Sequence, residues 1–428
     1  MPSPIKVPEI VFEEHILENN LHLLIHQQDH VPLTHVSVHY RIGSSYEKPG
    51  FSGLAHLFEH MMFQGSENVG KNEHGRYVDN AGGQWNASTG KDRTNYYETI
   101  PSHYLELALW LEADRMRSLN ITPENFENQR KTVIEEKKQT YDNRPYGLAT
   151  LRFEELAYTN WAYGHSIIGE VKDLEKCTLQ DAVDFHHTFY GSGNAILVLA
   201  GDLSEIDVLE KVRKYFSDIS DHTERQNPYL EEPRQVAKKS ETIQDPLATL
   251  PAIYMGYHMP ELGSPEYYAL SMLALILSQG ESSRFYRQFI HDNNWVTSFS
   301  VGPNQNKGPE LFYIWAQVQS GIDVDRVVQA IEKELSDLGK MPITEVELEK
   351  ARNQTTDRFV GRLTKIAHIG ELLAHYALFF ENANKINSDL DRYLAVTQED
   401  ILKVAQQVFC PENQTLIIVE PAPITTNP

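Results

Sequence analysis

Thr178-Leu179-Gln180-Asp181, running on to Tyr190, and Thr397-Gln398-Glu399-Asp400, running on to Phe409, are the segments that decide the fold of this 428-residue chain. Each opens T-x-x-D, where the threonine hydroxyl can accept from the third helical N–H while the aspartate reaches back to the threonine N–H. Each is followed by an asparagine and an apolar strand, Ile196–Ala200 and Leu416–Val419, and the copies lie 219 residues apart (397 − 178). Working outward, Ile121-Thr122-Pro123 and Ile343-Thr344-Glu345 each open a long polar helix with threonine as N-cap, 222 residues apart (344 − 122). Strand Val36–Tyr40 and a helix over Ser52–Phe63 are matched by strand Ala252–Tyr257 and a helix over Tyr267–Ser278. These helices run out in Gln64-Gly65 and Gln279-Gly280, 215 apart (279 − 64), with glycine placed as a C-cap. One match among common capping patterns could be chance; three in one order at nearly one offset point to an internal repeat. The expectation is an α+β chain of two homologous domains, 1–216 and 251–428. The stretch 217–250, rich in charge, proline and glutamine, is expected to link them.

Composition narrows the function. The 38 basic and 60 acidic side chains leave a net charge of −22, which repels nucleic acid and anionic membranes. Cys177 and Cys410 are the only cysteines, so a disulfide framework is excluded and a metal would have to be held by histidine and carboxylate. Met1–Val7 lacks an apolar signal region, and no apolar run reaches the roughly 18 residues of a membrane helix. The expected location is cytoplasmic, or periplasmic if a leader has been removed.

The chemistry lies in His56-Leu57-Phe58-Glu59-His60. Residues four apart share a helix face, so His56 and His60 can bind one metal from adjacent turns while Glu59 points near that face. A catalytic zinc takes three protein ligands and keeps one position open. The ion acidifies water and polarises a carbonyl, and a neighbouring carboxylate can carry the proton. The bland alternative is two packed helix histidines beside a solvated glutamate. A third ligand should be a carboxylate elsewhere. In the helix from Pro123 to about Tyr141, Phe126, Gln129, Val133 and Glu136 form one half-apolar stripe, whereas Glu135 points about 100° away. An inward glutamate is costly unless paired or metal-bound. Glu136 is therefore either a ligand or the ion-pair partner of Arg130 or Lys137.

Taken together, His56-x-x-Glu59-His60 and a glutamate 76 residues beyond His60 resemble the pitrilysin-type (M16) zinc metallopeptidases, inverzincins that include the mitochondrial processing peptidase β subunit. The resemblance extends over nearly the whole chain. Pro49-Gly50-x-Ser52-Gly53-Leu54-Ala55-His56, Gly83–Thr89, Asp92–Tyr97, Tyr163-Gly164-His165 and Gly169 all carry it. The small bacterial two-domain members are nearest in size. The resemblance implies two α/β-sandwich domains, each a mixed, largely antiparallel sheet with helices packed on one face, forming half of a clamshell. It implies one Zn2+ per chain on His56, His60 and Glu136, Glu59 as general base, and Asn86 and Ala87 on an edge strand that pairs with the substrate backbone. Asn86 could equally be a turn residue.

Two departures stand out. The family often has a second glutamate seven residues before the ligand; here Gln129 occupies that place, able to hydrogen-bond beside the site but not to act as a charge. In the second half the repeat sets Ser271, Ala274 and Leu275 opposite His56, Glu59 and His60, and Arg358 opposite Glu136. The arginine and tyrosine with which the family's other half holds substrate are replaced by Ile290 and Thr297. The expected activity is a zinc-dependent endopeptidase for short or unfolded peptides, the catalytic subunit of a heterodimer whose homologous partner supplies the Arg/Tyr pair. A homodimer, or Arg284 or Arg287 with Tyr286 as an irregular substitute, is the other arrangement. Dedicated maturation of one peptide and a non-catalytic structural core subunit of the same fold are the alternative functions.

Overall fold

The computed structural model describes residues 7–204, 207–221 and 227–422; most of the Met1–Val7 stretch and part of the expected linker lie outside them. Both capping boxes form as the sequence implies. The Thr178 and Thr397 hydroxyls accept from the Asp181 and Asp400 N–H at 3.2 and 3.1 Å, and both carboxylates receive the threonine N–H. Thr122 and Thr344 cap the helices Pro123–Lys137 and Glu345–Arg362 through the Asn125 and Glu347 N–H.

The repeat is visible strand by strand. The first sheet holds β1 (Glu13–Ile16), β2 (His22–Gln27), β3 (Leu33–Tyr40), β4 (Gln84–Thr89), β5 (Thr94–Pro101) and β6 (Ala195–Gly201), in the order β1-β2-β6-β3-β5-β4. The second holds β7 (Lys239–Asp245), β8 (Ala252–Met259), β9 (Val296–Pro303), β10 (Glu310–Val318) and β11 (Gln414–Pro421), in the order β7-β11-β8-β10-β9. Leaving β1 aside, the two orders are the same. Each sheet has one parallel pair, β2 with β6 and β7 with β11, and the other pairings are antiparallel.

β7 corrects the expected linker, because it lies inside 217–250. Its sequence, KSETIQD, lacks the apolar residues that mark its counterpart β2, since it is an edge strand with alternate residues exposed. The halves are also not contiguous in sequence. The chain forms two compact units, 1–135 with 166–228 and 358–389, and 136–165 with 229–357 and 390–428. The division passes through the last turn of the helix Pro123–Lys137, so that helix is rooted in the first unit.

Each sheet thereby gains a helix on its second face. On one face of β3, Tyr40 packs against Tyr96 and Tyr190, and the Tyr96 hydroxyl donates to the Phe58 carbonyl on helix Leu54–Met61. On the other face, helix Ile366–Phe380 buries Ile369, Leu372 and Leu373 against Leu24, Ile196 and Val198. In the second unit, Phe153 and Ala157 of helix Gly147–Ala157 cover Ala252, Tyr254, Ile417 and Val419 in the same way. A buried Leu, Ile or Phe contributes about 1.5–3 kcal/mol, so these helices are fixed parts of their units. No described helix is long and apolar enough to cross a membrane.

Candidate metal centre

The helix that carries His56, Glu59 and His60, Leu54–Met61, is held at its N-terminus by a residue the sequence reading missed. The Glu47 carboxylate accepts from the Gly53 and Ala55 N–H groups at 2.9 and 2.7 Å, satisfying two donors that a helix start leaves open. The chain passes there through Gly53 at φ 92° and lies against Gly169 at φ 79°. A Cβ on Gly169 would stand 2.5 Å from the Gly53 Cα. Gly169→Ala should therefore cost at least about 1–3 kcal/mol from the left-handed backbone alone, with the clash on top, read as a lower denaturation midpoint.

Leu57, Phe58 and Met61 anchor this helix in the core, which turns His56, Glu59 and His60 together toward the opposite side. The two imidazoles lie 4.9 Å apart, edge to face. Donor atoms of His56, His60 and Glu136 all fall within 4.8 Å of one another. Glu136 arrives there because Phe126, Gln129 and Val133 on its stripe are buried, while Glu135 is exposed. The two cations weighed as its ion-pair partners make contacts elsewhere: Arg130 with Glu127 and the carbonyls of Glu175 and Cys177, Lys137 with Asp142. Two imidazole nitrogens and one carboxylate, with no fourth donor grouped with them among the described residues, fit the donor set of a catalytic zinc.

Among the described residues one other grouping has metal-like spacing: His74, Glu98 and Glu112, all buried. Here the chemistry does not fit an ion. Arg115 holds Glu112 through its Nε at 3.0 Å and a second, shorter contact from Nη2. Burial, with Arg115 nearby, drives the His74 pKa well down and keeps the ring neutral. Burial, with Glu112 nearby, pushes the Glu98 carboxyl well above its usual range. A neutral Glu98 beside one Glu112–Arg115 pair leaves the cluster uncharged, and a divalent cation would add charge next to a guanidinium. Because the folded pKa of Glu98 is raised, its contribution to stability is full below the unfolded value and fades as pH rises through the folded one. Glu98→Gln should therefore gain on the wild type in denaturation midpoint as pH rises above the ordinary carboxylate range.

Among the described residues β4 is an edge strand, paired with β5. Asn86 on it is exposed, and its Oδ1 accepts from the Ala87 N–H at 2.9 Å, so the strand covers one of its own donors. Gln129 is buried on the Glu136 stripe. Thr89, at the end of β4, donates to Glu59 Oε2 at 2.5 Å; the Gly83–Thr89 stretch contains it but the sequence reading gave it no role. In the second unit, Ala274 is buried, Ile290 packs against the core and the Thr297 hydroxyl donates to Gln317. Arg284 is bound to Glu347, Glu334 and the carbonyls of Met341 and Pro342, so its guanidinium is committed to the fold.

A duplicated α/β fold with, among the described residues, a metal-type donor set of two histidines and a glutamate in the N-terminal half of the sequence points to a class of two-domain, metallopeptidase-like proteins. Known families agree. Residues 23–170 match the family described as insulinase (peptidase family M16), and residues 176–355 match the peptidase M16 inactive domain. The zinc protease PqqE of Helicobacter pylori is 30% identical over 394 residues, covering 90% of this chain and 87% of that protein. The human mitochondrial-processing peptidase subunit beta is 28% identical over 179 residues, covering 41% of this chain and 36% of that protein. The crystal structure of a protease from Helicobacter pylori superposes with a TM-score of 0.92 at 27% identity, over 96% of this chain and 100% of that one. The chain belongs to peptidase family M16.

Proposed function

We propose that this chain is a zinc-dependent endopeptidase for short or unfolded peptides and the catalytic subunit of a pair with a homologous chain. The observation that carries the reading is the convergence of His56, His60 and Glu136 beside Glu59 on an anchored helix. The zinc-protease name of the relative from Helicobacter pylori supports the choice of metal. When bound, zinc would acidify water and polarise the peptide carbonyl. His56 and His60 would present neutral nitrogens and Glu136 one carboxylate oxygen. Glu59 would take a proton at its carboxylate and release it to the leaving amine nitrogen. The edge of β4 near Asn86 and Ala87 would pair with a peptide backbone, which selects for extended chain rather than for a particular side chain.

The pairing rests on the second unit. Ile290 and Thr297 stand where the Arg/Tyr pair is expected, and Arg284 is held by two carboxylates. The test is metal content and hydrolysis of an internally quenched peptide by the purified chain, with and without a homologous chain carrying that pair. Stoichiometric zinc with hydrolysis that needs the partner supports the reading. Full activity from a verified monomer or homodimer removes the heterodimer, and failure to bind zinc removes the peptidase.

A further inference from the structure

Thr89 and Glu59 are 30 positions apart, and one frame holds both. Ser44 and Ser45 donate their N–H groups to the Gly90 and Lys91 carbonyls at 3.1 and 2.9 Å, pinning the β4–β5 hairpin loop, and the Ser45 hydroxyl donates to Asp92. Two residues on, Glu47 caps the helix that carries Glu59. The other side of the hairpin is tied as firmly. Arg93 Nη1 donates to the Ser88 hydroxyl at 2.7 Å and to Asn95 Oδ1 at 2.6 Å. Asn95 Nδ2 in turn donates to both carboxylate oxygens of Glu371, at 3.3 and 3.1 Å. Glu371 lies on helix Ile366–Phe380, with the His35 and His39 Nε2 atoms 3.7 and 3.5 Å away. The end of β4 is thus clamped between the Ser44–Glu47 segment and a helix drawn from the far end of the chain.

We propose that Thr89 is a positioning residue for the general base: its hydroxyl donates to Glu59 Oε2 and fixes the orientation of that carboxylate. This rests on the peptidase reading above. A glutamate side chain has rotamer freedom to lose when it is fixed, and a base acts only when held within hydrogen-bond reach of its proton. Thr89 supplies that constraint without adding a charge. Arg93 lies near enough for the Glu59 and Glu371 carboxylates both to act on its guanidinium, so the clamp is also an electrostatic tie between base and helix.

The test compares Thr89→Val, which keeps the branched shape and removes the donor, with Thr89→Ser, which keeps the donor. The full chain is loaded with zinc, together with its partner subunit where hydrolysis needs one. Thr89→Val should retain zinc and its melting temperature, lose about 10–100-fold in kcat against an internally quenched peptide, and leave KM unchanged; Thr89→Ser should restore most of the rate. Crystal structures of the variants should show the Glu59 side chain displaced in Thr89→Val and in place in Thr89→Ser. An unmoved Glu59, loss of zinc, or equal impairment of both variants would overturn the assignment. A zinc-loaded wild type that hydrolyses nothing would sink the peptidase reading instead, and the crystallographic comparison would still decide what Thr89 does.

Discussion

Glu59→Gln is expected to leave zinc content and thermal stability unchanged while lowering kcat by about 10²–10⁴-fold, the usual worth of a general acid–base group. Glutamine matches glutamate in size and keeps an oxygen that can accept from Thr89, so the hydrogen bond at 2.5 Å has a substitute partner and the hairpin need not move. Glu59 is not one of the three residues whose donor atoms converge, so metal affinity should not depend on its charge. What glutamine cannot do is bind and release a proton. The measurement is zinc by elemental analysis beside kcat and KM for one peptide. A variant that loses zinc would make Glu59 a structural or ligating group, and one that keeps its rate would place the base elsewhere.

The readable parts of this chain are those where a local rule has one physical outcome. T-x-x-D twice, with matching offsets, announced the duplication because a capping box is satisfied within four residues. The 3- and 4-residue steps from Phe126 to Glu136 told Glu136 from Glu135 because burial on one helix face follows from period alone. Other features depend on partners distant in sequence. β7 carries almost no apolar residues and is identified only by pairing with β11, from Thr415↔Lys239 to Pro421↔Asp245. Helix Ile366–Phe380 is apolar enough to be recognised as buried, but nothing in it says that it covers the first sheet rather than the second. Glu47 precedes a proline-glycine turn and reads as a solvated loop acid until the Gly53 and Ala55 N–H groups are seen to point at it. Glu98 sits in an alternating strand like a surface residue, and only the tertiary fold reveals that it is fully buried beside Glu112.

Glu136→Gln against Glu135→Gln, neighbours on one helix, separates ligation from surface charge. Removing one of three ligands should weaken zinc by more than the 10–100-fold typical of the groups that merely support ligands. Glu135 is exposed, so its replacement should leave zinc untouched and shift stability by no more than about 0.5 kcal/mol. Melting in buffered zinc gives the readout: at a free concentration 100 times the dissociation constant, a site that exists only in the folded chain adds about 2.7 kcal/mol. Wild type and Glu135→Gln should show this increment, and Glu136→Gln should show almost none. Without metal the order should not follow the same rule. A carboxylate on a half-buried stripe costs more to desolvate than an amide, so apo Glu136→Gln should be at least as stable as apo wild type. A ligand is harmful or neutral to the empty protein and essential to the loaded one, whereas a structural ion-pair partner would destabilise both when removed. Equal destabilisation with and without zinc would assign Glu136 to the fold and leave His56 and His60 without their third donor.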